Sequence, residues 1–134
     1  MENMSNEKTA LGLDPNVGAL ICYLGNLVCF LGLIYSIVVV ATDKTNRLTR
    51  FHAFQSILLS VAGVAIGFLY SFASGFLGII LGDLAILLLP ISFIVFAVIG
   101  IGIFIFTILA AIKGFQGEMY KIPVIGNFAE QFAG

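Results

Sequence analysis

Residues 51–113 read FHAFQSILLSVAGVAIGFLYSFASGFLGIILGDLAILLLPISFIVFAVIGIGIFIFTILAAIK. Asp83 is the one carboxylate in this stretch, and no Lys or Arg occurs before Lys113. His52, at the leading edge, is the only other group able to carry charge near neutrality. No soluble domain of this size could bury so much apolar surface, so the solvent for this stretch must be lipid. A second run, Val17 to Ala41, has no charged residue at all. Apolar runs of about 18 residues or more read as membrane-spanning helices.

Composition agrees. Of 134 residues, 60% are hydrophobic before glycine is counted and 10% are charged. Soluble domains average roughly 45–50% apolar, glycine included, and about 25% charged. Mean hydropathy is +1.14. The net charge of −1 leaves no basic face for nucleic acid. Cys22 and Cys29 stand seven residues apart. On one helix that is about 10 Å of rise, too far for a disulfide. No Cys/His spacing suggests a metal, and no cofactor is expected. Met1–Ala10 lacks a basic n-region, and the apolar run after it exceeds a signal peptide's core. No cleavable signal is expected, although Val39-Val40-Ala41 imitates a cleavage site.

The expected fold is all-α: a polytopic membrane bundle of three long helices with an interfacial C-terminal segment. After a polar tail, Asp14-Pro15 marks a helix start, because Pro loses no hydrogen bond at the first helical position. The first helix is expected over 15–41, a basic loop over 42–50, a second helix over 51–82 and a third over 84–112. Pro90 kinks or restarts the third, and Lys113-Gly114 ends it. An amphipathic tail fills 113–134, with a short surface helix near Ile125–Phe132 turning Phe128 and Phe132 to lipid. The alternative is four shorter spans, with breaks near Ser71 and Pro90 and Asp83 at mid-membrane, at roughly 2.5–3.5 kcal/mol. The basic residues favour three. Lys44, Arg47 and Arg50 in the first loop then share the cytoplasmic side with Lys113 and Lys121, Asp83 faces out, and the N-terminus lies outside.

Small residues form two stripes. In the first helix they are Gly18, Cys22, Gly25, Cys29, Gly32 and Ser36. In the second they are Ser56, Ser60, Gly63, Gly67, Ser71, Gly75, Gly78 and Gly82. Steps of three and four keep each stripe on one face, and small faces let membrane helices approach closely. Each stripe is expected to be a packing seam, either between these helices or between copies of the chain. The unbroken second stripe argues for one long helix.

Two polar motifs stand apart. The first is RLTRFHAFQS (47–56), where Arg47 and Arg50 can reach phosphate headgroups and Asp43 can pair with Arg47. The second is KGFQGEMYKIPVIG (113–126), with Tyr120 and Lys121 suited to headgroup level. Both fall on the cytoplasmic face of the three-helix arrangement. A clasp or lipid contact built from Arg47, Arg50, His52, Gln55, Glu118, Tyr120 and Lys121 is expected there, with Glu118 pairing Arg47 or Arg50. His52 has no nucleophile or metal-ligand set beside it, so catalysis is not expected.

Together RFHAFQS and GEMYKIPVIG resemble small bacterial membrane proteins of unknown function grouped with the Tic-twenty-like import component of the chloroplast inner envelope. Arg50, Phe51, His52 and Gln55 carry the first motif, and Gly117, Glu118, Tyr120, Lys121 and Pro123 the second. The resemblance spans about Val17 to Phe132. It implies a polytopic inner-membrane protein without an assigned activity. The expected function is non-enzymatic: a small structural or accessory subunit in the inner (plasma) membrane. Its partners would be the lipid bilayer and other membrane subunits or copies of itself, packed through Gly18, Gly25, Gly32, Gly63, Gly67, Gly75, Gly78 and Gly82. The alternative is a channel or translocation component, for which Gln55, Ser56 and Ser60 form the one polar line.

Overall fold

The computed structural model describes residues 8–28 and 30–134; Cys29 and the first seven residues of the expected tail lie outside the described residues. The described residues are helical and contain no strand. The helices are α1 (Pro15–Leu24), α2 (Leu31–Thr42), α3 (Arg47–Leu81), α4 (Leu88–Phe115) and α5 (Ile125–Ala133). Short 3₁₀ segments, Gly25–Leu27 and Gly82–Leu87, follow α1 and α3.

The single helix expected over 15–41 is not formed, and this corrects the sequence reading. The chain turns back on itself after Leu24. A 3₁₀ turn leads to Phe30, whose φ of 60° is left-handed, and α2 starts from there. The two short helices then run antiparallel. A Cβ built on Gly25 would lie 2.6 Å from Gly32 N, and one on Gly32 would lie 2.6 Å from Cys22 O. One on Gly18 would lie 3.0 Å from the Tyr35 hydroxyl. At the foot, Ala10 N–H donates to Asp43 Oδ2 at 3.3 Å. The first stripe of small residues is therefore a seam, but one that closes a hairpin on itself. Glycines at 25 and 32 let the two backbones touch, which no residue with a Cβ allows.

The same foot starts α3. Asp43 Oδ1 accepts from Thr45 N and Asn46 N, at 3.3 and 3.0 Å. Asn46 Oδ1 accepts from Thr49 N at 3.2 Å, the N-cap bond that satisfies an orphan donor of the first turn. Asp43 is thus occupied by backbone and does not pair with Arg47 as expected. Asp14 precedes α1 with Pro15 at its first position, but its carboxylate makes no cap bond.

The chain divides into two compact units, one running to Ser60 and resuming at Phe106, the other Val61–Ile105. The first unit holds the hairpin, the first part of α3, the end of α4 and the tail. The second holds the remaining lengths of α3 and α4 with the turn at Gly82–Leu87, where Gly82 takes φ +55° and Asp83 is exposed. Pro90 sits in the first turn of α4, where its missing N–H costs nothing. Within this second unit the Tyr70 and Phe96 rings meet edge to face at 4.4 Å. A cavity of ≈ 440 Å³ between them is lined by Ser71, Ser74, Ala85, Leu88 and Ser92 among others. The serines spend their hydrogens on their own helices, Ser74 on Tyr70 O and Ser92 on Leu88 O. Most of the remaining large apolar side chains face outward; Ile79 is 84% exposed and Phe93 75%.

Candidate functional site: a buried polar clasp

The buried polar side chains with long-range hydrogen bonds gather in the first unit, where α1, α3 and the tail after α4 meet. His52 and Gln55 lie one helical turn apart on α3, and both are fully buried. Tyr23 of α1 is buried with them. Its hydroxyl lies 2.9 Å from His52 Nδ1, and Gln55 Nε2 donates to that hydroxyl at 2.8 Å. His52 Nε2 lies 2.9 Å from the carbonyl oxygen of Glu118. Gln55 Nε2 also donates to Tyr120 O at 3.0 Å, and Gln55 Oε1 accepts from Ile122 N at 3.1 Å.

With the ring neutral, these contacts select one tautomer of His52. A carbonyl only accepts, so His52 Nε2 carries the hydrogen. In the neutral ring Nδ1 must then accept, so the Tyr23 hydroxyl donates to it and itself accepts from Gln55. The chain runs in one direction: Ile122 N–H to Gln55, Gln55 to Tyr23 and Tyr120 O, Tyr23 to His52, and His52 to Glu118 O. Both functional ends of Gln55 and both ring nitrogens of His52 are used. A fully satisfied network in a low-dielectric setting rigidifies what it joins, and it leaves no basic atom free to take a substrate proton. Glycines make room for it. A Cβ on Gly114 would lie 2.9 Å from Ala19 Cβ, and one on Gly126 would lie 2.6 Å from Lys121 Cα and 2.9 Å from Gln55 Oε1.

The clasp also holds a strained turn. Ile125 N–H bonds Pro123 O at 2.8 Å around Val124, whose φ is 69° and ψ −57°. This is a γ-turn of the rare, strained kind, on a β-branched residue. Such a conformation costs on the order of 1–3 kcal/mol and persists only where the surroundings over-determine it. Here Ile122 N on one side is held by Gln55, and Gly126 N on the other by Ile122 O. α5 then lays Ala129 and Ala133 against Phe51, while Phe132 meets Phe54 at 5.9 Å.

The charged residues surround the clasp without entering it. Glu118 does not reach Arg47 or Arg50. Gly117, at φ +80°, turns the chain so that Glu118 N returns to Lys113 O, and the carboxylate pairs with Lys113 Nζ at 2.9 Å. Arg50 Nη1 donates to Asp43 O at 2.8 Å, and its guanidinium lies 5.7 Å from the Phe54 ring centre. Glu130 is the acid at this surface, paired with Lys121 at 2.7 Å and with Arg47 at 4.0 Å. The Lys121 hydrogen bond, with Arg47 adding, holds the Glu130 carboxyl below its ordinary range.

The structure thus brings together His52, Gln55 and the backbone of Glu118 and Tyr120, and it sets Arg47 and Lys121 beside Glu130. Sequence reasoning missed Tyr23 and the role of Asn26, and it read Ser56 as part of a packing stripe or polar line. Asn26 Nδ2 donates to Ser56 Oγ at 2.8 Å and Ser60 Oγ at 3.2 Å, while Ser56 Oγ donates to Cys22 O at 2.6 Å. An amide alone in an apolar run was the available signal. Gly63, Gly67, Gly75, Gly78 and Gly82 are different: a Cβ at any of them would meet nothing within 4 Å. Among the described residues no three of His, Cys, Asp and Glu are grouped to hold a metal ion.

The sequence profile of the magnetosome magnetite crystal formation protein family, MamF/MmsF, matches residues 14–129. The chain belongs to this family. The match covers the hairpin, the clasp and most of α5. Three curated relatives of the MamF/MmsF chain are archaeal. A UPF0132 membrane protein of Methanocaldococcus jannaschii is 30% identical over 126 residues, 94% of each chain. A second from the same organism is 32% identical over 123 residues, 92% of this chain and 73% of the relative. A UPF0132 membrane protein of Archaeoglobus fulgidus is 28% identical over 123 residues, 91% and 98% of the two chains. No solved structure matches. The matches establish a small membrane protein family; they do not extend to the plastid import component that the two motifs resemble.

Proposed function

We propose that this MamF/MmsF-family chain is a non-enzymatic structural component of the inner (plasma) membrane that crosses it with α3 and α4. It would join copies of itself, or other membrane subunits, through the small-residue face of α3. One observation carries the reading: the glycines of α3 from Gly63 to Gly78 have open space where a Cβ would go, whereas Gly25 and Gly32 of the hairpin are in backbone contact. Glycine in a helix interior loses about 1 kcal/mol against alanine. In a membrane, close backbone approach by another helix is what offsets that loss. By the positive-inside rule, Lys44, Arg47, Arg50, Lys113 and Lys121 favour a cytoplasmic loop and C-terminus.

The channel or translocation reading needs a polar lining. Gln55, Ser56 and Ser60 were the line expected to supply it, and they are bonded to the hairpin and the tail. A mineral-facing role, as the family's description suggests, would call for gathered carboxylates; Glu118 and Glu130 are each engaged by a lysine. Both points support a scaffold reading. The test is the pair Gly63→Leu and Gly67→Leu, followed by oligomer mass in mild detergent. Loss of the oligomer with an intact tail clasp supports the seam. An unchanged oligomer, or a wild-type monomer that copurifies with nothing, sinks it.

A further inference from the structure

We propose that residues 15–42 form a half-membrane hairpin. It enters and leaves by the basic face, is covered by the acyl chains of that leaflet, and puts the N-terminal segment on the same side as the C-terminus. Length gives the first argument. α1 has 10 residues and α2 has 12. At about 1.5 Å per residue neither reaches 20 Å, whereas a bilayer core is about 30 Å thick. Connection gives the second. Both ends of the hairpin are bonded to one place, Ala10 N to Asp43 Oδ2 and Thr49 Oγ1 to Pro15 O. The tip is bonded to α3 at Ser56 and Ser60 through Asn26. Along α3 the hairpin therefore climbs from Thr49 to Ser60, about 16 Å of rise, close to half a bilayer core.

Surface chemistry names the occupant. Val28, Phe30, Leu31, Ile34 and Ile37 each expose more than half of their surface. At the foot stand Lys44, Arg47 and Arg50, cations suited to anionic headgroups. An irregular tip at membrane depth must satisfy its own backbone. Among the described residues of the tip, tight turns supply backbone partners: Val28 N bonds Gly25 O, Leu31 N bonds Val28 O, and Leu33 N and Ile34 N both bond Phe30 O. Acyl chains can surround such a tip.

The test uses the full chain in native membranes, in a background with Cys22 and Cys29 replaced by serine. Single cysteines at Lys8, Thr45, Asp83 and Gln131 are labelled with a membrane-impermeant maleimide from each side in turn. Lys8→Cys, Thr45→Cys and Gln131→Cys should react from one side and Asp83→Cys from the other. Reaction of Lys8→Cys from the Asp83 side overturns the proposal. A bimane on Phe30→Cys should be quenched by mid-chain doxyl lipid. Cross-linking of Phe30→Cys to a second copy without quenching would give the face to a protein partner and overturn the lipid assignment. Oxidation of the pair Ala10→Cys and Asp43→Cys should join the hairpin ends; ends that never join indicate a spanning helix. The sidedness and end-joining readouts do not depend on the oligomer, so failure here and failure of the α3 seam are separable.

Discussion

The unit that holds the hairpin and the unit at Val61–Ile105 use the same residue in opposite ways. In the first, these glycines mark close contact: Gly25 against the backbone of Gly32, Gly114 against the side chain of Ala19, Gly126 against Lys121. In the second, glycines on α3 face open space within the chain. Polar groups divide the same way. The first unit carries a closed hydrogen-bond network, whereas the second turns its serines onto their own helices. A small residue in a membrane helix is thus evidence of close approach only when its neighbour is known.

Substitutions at matched positions separate the two uses. Gly32→Ala should have the largest effect. Its Cβ would press on backbone atoms of Cys22 and Gly25 that cannot yield, and we expect a loss of at least about 3 kcal/mol, read by thermal unfolding in detergent. Gln55→Leu comes next. It strands Ile122 N–H and Tyr120 C=O in a buried place, for a loss of about 2–4 kcal/mol, and limited proteolysis should then cut between Gln116 and Val124. Val124→Gly should act in the other direction, gaining about 1 kcal/mol by relieving the γ-turn, if the clasp imposes that turn. Gly67→Ala is the counterpart of Gly32→Ala and should change unfolding of the single chain by no more than about 1 kcal/mol. A loss as large as that at Gly32 would erase the contrast between the units.

The smallest effect concerns pH. The carboxyl of Glu130 titrates below its ordinary 4.5 because Lys121 donates to it. A depressed carboxylate contributes stability above its unfolded value and loses it as pH falls through the folded one. Glu130→Gln should therefore loosen α5 slightly at neutral pH and make no difference in strong acid, as measured by protease sensitivity of the tail. A difference that persists in acid would mean that the side chain acts through packing.

Much of this was readable in advance. Apolar length places the chain in lipid, and the two motifs around His52 and Glu118 do meet. The reason they meet was not readable. Glu118 contributes its carbonyl, and every residue carries such a carbonyl whatever its side chain. The hairpin was hidden for a related reason. Gly18, Gly25 and Gly32 at steps of seven lie on one face of a straight helix, and the same spacing also brings 25 and 32 together across a fold. Hydropathy does not separate these cases, because both short helices and the turn are apolar. Only Asn26, an amide needing partners at the turn, differs from its surroundings, and its partners Ser56 and Ser60 lie some thirty residues on.

The turn at Gly82–Leu87 carries a consequence for how the protein is made. In the proposed topology the segment that would cross is the six-residue 3₁₀ turn, whose one carboxylate is Asp83. Moving one elementary charge through a membrane potential is worth about 2.3 kcal/mol per 100 mV. With the cell interior negative, a carboxylate travelling outward is driven forward. The energised membrane would therefore help push the α3–α4 loop through, and a lysine at position 83 would make the same potential resist insertion.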